Sequence, residues 1–119
     1  EPDLIGGIVF TSGANPLPTW QSLRPVALCA TMLGDPRLTD EAEASHQTLR
    51  LLTSLRFLEQ LIVGEAEMHM FRDRERSLGG VRLALWDQRL TLEAASIALL
   101  TLAETMDSLD ALAARRADR

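Results

Sequence analysis

Few residues in this 119-residue chain have the type and spacing for bond-making chemistry. His69 has Glu65 and Asp73 four positions away on either side, so a helix would bring the three onto one face. An imidazole between two carboxylates is the outline of a metal site. It is equally the pattern of a partly exposed histidine among solvated acids, and the expectation is no metal and no cofactor. Ser12, Ser22, Ser45, Ser54, Ser77, Ser96 and Ser108 show no Gly-x-Ser-x-Gly elbow and no Ser–His–acid order. The glycine pairs have neither the dinucleotide spacing nor a following Lys-Ser/Thr. Glu65/Glu67 and Asp107/Asp110 read as solvated helix faces rather than acid–base pairs. No catalytic residue is assigned. Cys29 is the only cysteine, so no internal disulfide can form. Its apolar setting, Val26-Ala27-Leu28-Cys29-Ala30, predicts a buried structural thiol. Trp20, Trp86, Asp87 and Arg89 are left as a candidate binding edge, because tryptophan on a loop beside Arg and Asp suits recognition. The alternative is a tryptophan folded back onto the helix ends.

Composition narrows the class of protein. Apolar residues make up 46% and charged residues 24%, a globular balance. There is no tyrosine, with two tryptophans and three phenylalanines, so Leu, Ala, Val, Ile and Met must build the core. Such a mixture favours helix. The formal net charge of −5 argues against nucleic acid as the main partner. Every basic residue is arginine, and most alternate with acids, as in Arg72-Asp73-Arg74-Glu75-Arg76. That run reads as a solvated loop or helix end. No apolar run reaches the roughly 18 residues of a membrane span, so a soluble protein is expected. The chain begins at Glu1 without methionine, so a processed or partial chain is expected and the compartment is left open.

The elements that would position these residues are helical. Residues 1–18 hold Gly6, Gly7, Gly13, Pro2, Pro16 and Pro18 and read as an irregular lead, in which Ile8-Val9-Phe10 could extend briefly. A first helix is predicted over 19–33, with Thr19 as its cap and Pro25 kinking it or marking its first turn. A second is predicted over 40–63, opened by Asp40-Glu41-Ala42-Glu43. Its Leu51, Leu52, Leu55, Leu58 and Ile62 recur at helical spacing. Gly64 ends it, or the helix continues through Met68-His69-Met70-Phe71. Residues 72–90 read as a connection. A third helix is predicted over 91–114, with Ala95, Leu99, Leu102, Met106, Leu109 and Ala113 as its apolar seam. The fold class expected is all-α, in one helical domain or domain fragment spanning 1–119.

Gly6-Gly7 and Gly79-Gly80 are related by an offset of 73 residues. At the same offset Ile8 falls on Val81. Val26, Ala27, Cys29, Ala30 and Leu33 fall on Leu99, Leu100, Leu102, Ala103 and Met106. Each copy reads as a glycine pair, an irregular stretch and an apolar helix, which is the sign of a helical repeat. Glycine in such a turn suits a positive φ or close backbone approach.

The two segments, GGIVFTSGANPLPTWQSLRPVALCATML and GGVRLALWDQRLTLEAASIALLTLAETM, cover about half the chain. They resemble the repeat of the α/α toroid of terpenoid cyclases and protein prenyltransferase β subunits. The resemblance implies inner-ring helices that follow Gly-Gly turns, joined by an outer-ring helix. Neither the Asp-x-Asp-Asp motif of the protonating cyclases nor the Asp-x-Cys with partnering His of the prenyltransferases is present. The family's catalytic residues therefore do not carry over. Three or four helices are also too few to close a ring. The expectation is a non-catalytic interaction module completing a larger toroid-like assembly, with a protein or an upstream part of the same polypeptide as partner. The alternative is the C-terminal part of a cyclase-like or prenyltransferase-like enzyme, whose ligand would be an apolar isoprenoid.

Overall fold

A computed structural model describes residues 3–9 and 17–118. Phe10, Ser12, Gly13 and Pro16 lie outside the described residues, as does Pro2. The fold is mainly helical, with one small sheet. A 3-10 turn at Trp20–Ser22 leads into α1 (Leu23–Leu33), followed by α2 (Glu41–Leu61), α3 (Arg74–Ser77) and α4 (Leu92–Ala117). Strands β1 (Arg82–Ala84) and β2 (Asp87–Leu90) form an antiparallel hairpin between α3 and α4. The expected helical class holds in its coarse form, and this hairpin is the departure from an all-α fold. Residues 72–90 are not a plain connection, because Val81 is buried in the core and Leu83 and Leu85 pack against it. An irregularity between Arg82 and Ala84 keeps the hairpin short.

Local chemistry accounts for the helix starts. Thr19 accepts from the amide of Gln21, Asp40 from Glu43, and Thr91 from Ala94. Each cap satisfies an amide that the first turn leaves orphaned. Pro25 sits in the first turn of α1, where a missing N–H costs nothing, and so marks its start. α2 stops at Leu61 for a different reason. Ile62 turns extended, and Val63 exchanges backbone hydrogen bonds with Gly79 and Gly80. The His69 segment forms only a separate 3-10 turn, Met68–Met70.

Each glycine pair closes the same kind of turn. The Gly7 amide donates to Leu4 O at 3.1 Å, and the Gly80 amide to Ser77 O at 2.9 Å. The first glycine of each pair has positive φ, +92° at Gly6 and +81° at Gly79. Such turns need φ > 0 at their third residue. The two sites differ in surroundings. A Cβ on Gly6 would lie 2.1 Å from the Thr53 carbonyl oxygen, whereas one on Gly79 would meet nothing within 4 Å.

The core forms in two clusters. One gathers Trp20, Leu23, Phe57, Leu58, Leu61, Val81, Ala94 and Ala98. The other gathers Val26, Ala30, Leu33, Ala44, Leu51 and Leu112. Leu55 packs against both. α2 therefore runs antiparallel to α1 and to α4, while α1 and α4 run parallel. The α1–α4 contact is the most extensive between helices. Small residues allow it. A Cβ on Gly34 would lie 3.1 Å from the Ser108 Cα. Ser108 Oγ donates to Ala30 O, and Thr101 Oγ1 donates to Ile97 O at 2.7 Å with Leu23 O at 3.5 Å.

Two stability outcomes follow. Gly79→Ala should cost about 1–2 kcal/mol, from the left-handed backbone alone, and Gly6→Ala about 3 kcal/mol or more because backbone overlap adds to it. Equal shifts in denaturant midpoint for the two variants would contradict the close approach of Gly6 to α2. Ser108→Leu should cost about 2–4 kcal/mol by forcing α1 and α4 apart, against less than about 1 kcal/mol for Leu99→Ala on the outer side. Urea unfolding of both variants reads the difference.

Candidate functional site

The most distinctive surface arises from the side chains that α4 does not bury. Its buried stripe is Ala94, Ala98, Thr101, Thr105, Ser108 and Leu112. The seam expected to be buried, Ala95–Leu99–Leu102–Met106–Leu109–Ala113, has the same spacing shifted by one residue, or about 100° around the helix. Most of it faces outward. Leu99 is 70% exposed and Met106 66%, Leu102 is exposed, and Leu109 is half-buried. The expectation is corrected on this point. Close packing against α1 requires small side chains, and the polar hydroxyls of the buried stripe are satisfied by carbonyls. Thr105 donates to Thr101 O at 2.7 Å. The larger leucines would hold the helices apart.

α2 extends this apolar face. Leu49, 65% exposed, lines a groove of about 380 Å³ with Ser45, Thr48, Leu109, Leu112 and Ala113. Leu52 lies one turn further along and is also exposed. From Ala94 to Ala103 α4 carries no charged residue. Glu104 points away from the seam and accepts from Thr31 Oγ1 on α1 at 3.2 Å. Large exposed apolar patches of this kind mark interaction sites.

The four candidate edge residues are placed unequally. Trp20 is buried at the head of α1, with the Arg24 guanidinium 5.3 Å from its ring centroid. Its rim borders a groove of about 300 Å³ shared with Arg24, Glu93, Ser96, Ile97 and Leu100. Trp86 is exposed at the hairpin turn. Asp87 and Arg89 bind each other, through Nη2–Oδ2 at 2.6 Å and Nε–Oδ1 at 3.0 Å. Asp35 and Arg37 make the same two-residue lock. Both pairs are local turn devices, each with the Arg amide also donating to its Asp. β1 packs beside the Trp20 turn, so hairpin and tryptophan share one end of the molecule.

Cys29 is exposed, which corrects the buried thiol. It borders a groove of about 250 Å³ between α1 and α2, with Ile8, Val26, Gln47, Arg50 and Leu51. α1 turns Val26 and Ala30 inward and leaves Leu28 and Cys29 outside, because its covered side follows the i, i+4 rows. His69 is exposed, and its Nδ1 lies 2.8 Å from Ala66 O. Among the described residues no group of three or more His, Cys, Asp or Glu side chains could hold a metal ion. No described helix is long and apolar enough to cross a membrane. The chain matches no family model, and the searches of curated proteins and of solved structures return no match.

The Arg89 guanidinium, by hydrogen bond, holds the Asp87 carboxyl below the usual carboxylate range. In the same way Arg37 lowers Asp35 to about 2. A depressed folded pKa means that each lock is complete above the usual carboxylate range and is lost as pH falls through the folded value. Both pairs are solvent-screened, so the effect on global stability is small. In Arg89→Ala the Asp87 carboxyl should titrate higher, back in the ordinary range, by carbon-detected NMR. An unmoved midpoint would show that the pair does not set it.

Proposed function

We propose that this chain is a non-catalytic helical module that completes a larger, toroid-like helical assembly. The observation that carries the reading is the second seam of α4, whose Leu99, Leu102 and Met106 stand exposed at helical spacing while Leu109 is half-buried against the second core cluster. α1 offers the contrast. Its Val26, Ala30 and Leu33 are covered by α2, whereas the positions 73 residues on, Leu99, Ala103 and Met106, are bare. A further helix lying on α4 as α2 lies on α1 would bury them. Each leucine or methionine so covered is worth about 1.5–3 kcal/mol.

The toroid-like form of the assembly has three supports. α1 and α4 are parallel neighbours in direct contact, α2 runs antiparallel beside them, and each parallel helix is preceded by the same positive-φ glycine turn. In a repeat array each unit buries its face on its neighbour. The partner is a protein or another part of the same polypeptide.

The test is to place Leu99→Glu and Met106→Glu together in the natural protein and measure its native mass in the isolated assembly. Wild type should migrate well above the chain mass, and the double variant should fall to a lower mass. The purified variant should keep the wild-type unfolding midpoint, since both side chains are exposed. An assembly of unchanged mass would overturn the reading.

A further inference from the structure

Resting on that reading, we infer that the occupant of the open seam is a second copy of this chain, with the two α4 helices packed antiparallel about a two-fold axis near residue 104. The seam is self-complementary in both spacing and size. Its positions, 95, 99, 102, 106, 109 and 113, are separated by four, three, four, three and four residues, the same in either direction. Its side chains read Ala, Leu, Leu, Met, Leu, Ala, which is also the same in size from either end. Antiparallel pairing therefore sets Ala95 against the Ala113 of the other copy, Leu99 against its Leu109, and Leu102 against its Met106. A two-fold interface places one patch against itself, and this stripe offers matching side-chain sizes from either end.

Charge permits the contact despite a net charge of −5 on each copy. Glu104, the acid nearest the axis, is turned toward Thr31 on α1. Along the helix, Asp110 stands about 18 Å from its own copy and Asp107, further round the helix, about 9 Å. Those separations match or exceed the Debye length of about 8 Å in physiological salt. Area is sufficient as well. Leu49, Leu52, Leu99, Leu102 and Met106 expose on the order of 500 Å² of apolar surface, at the upper end for a patch on an ordinary monomer. Two such faces together bury about 1,000 Å², the lower bound for a specific interface.

Sedimentation equilibrium of the purified 119-residue chain from about 1 to 100 μM, the range of moderate affinities, tests the inference. Wild type should reach twice the 13.1 kDa chain mass, and M106E should stay at 13.1 kDa with unchanged helical circular dichroism. The register is read by oxidative cross-linking in a Cys29→Ser background. A mixture of Leu102→Cys and Met106→Cys chains should form a mixed disulfide, and Ala95→Cys should not link to itself. Self-linked Ala95→Cys would mean parallel pairing and overturn the geometry. A wild-type chain that stays monomeric throughout overturns the second-copy inference. It leaves the interaction reading standing if the natural assembly still loses mass in the Leu99→Glu, Met106→Glu protein, and both fall if it does not.

Discussion

The close approach of α1 to α4 is the constraint on which the remaining structure depends. Gly34, at the end of α1, lies against Ser108, and Thr101 and Ser108 reach the carbonyls of Leu23 and Ala30, so a side chain as small as a methyl at Gly34 would already crowd Ser108. The hydroxyls in this contact are satisfied by backbone carbonyls, so their burial leaves no unpaired donor. Once this stripe of α4 faces inward, the rotation of the helix is set. Its leucine-rich neighbouring stripe then faces outward, and the functional reading follows from that rotation.

Arginines from later parts of the chain hold the helix ends in place. Neither α1 nor α2 has a basic residue in its last turn. Arg115 of α4 donates to Gly34 O at 2.7 Å, and Arg82 of β1 donates to Gln60 O. A cation at a helix C-terminus meets both the dipole and an orphan carbonyl. Arg82 is buried and also donates to Gln88 Oε1 at 3.2 Å, while its Nε has no hydrogen-bond partner among the described residues. These contacts tie the hairpin to the end of α2 and the end of α4 to the end of α1. They place arginine in structural roles, in keeping with an acidic chain whose basic residues are dispersed.

What distinguishes the surface is the pairing of an overfilled supply of leucine with a core that does not need it. The α1–α4 contact uses alanine, serine and threonine, and the leucines of α2 and α4 beyond the two core clusters are left against water. That arrangement is costly for an isolated molecule and suits one that is covered. The local Asp–Arg locks, by contrast, close on themselves and offer no free charge to a ligand.

Local physics made much of the fold legible in the sequence. The caps at Thr19, Asp40 and Thr91, the placement of Pro25 and the positive-φ need of the glycine turns depend on neighbours within a few residues. The sequence by itself therefore determined where the long helices begin and that two glycine pairs would form turns. The hairpin escaped because its strands are three and four residues long and broken by an irregularity, too short for a clear alternation. Cys29 escaped because an apolar setting in sequence does not say which side of a helix is covered. The same gap decided α4. Its two stripes have identical spacing one residue apart, and periodicity cannot choose between them. Only tertiary packing chose, because two helices held at short range admit small side chains and exclude leucine, and the seam that looked like core became the open face.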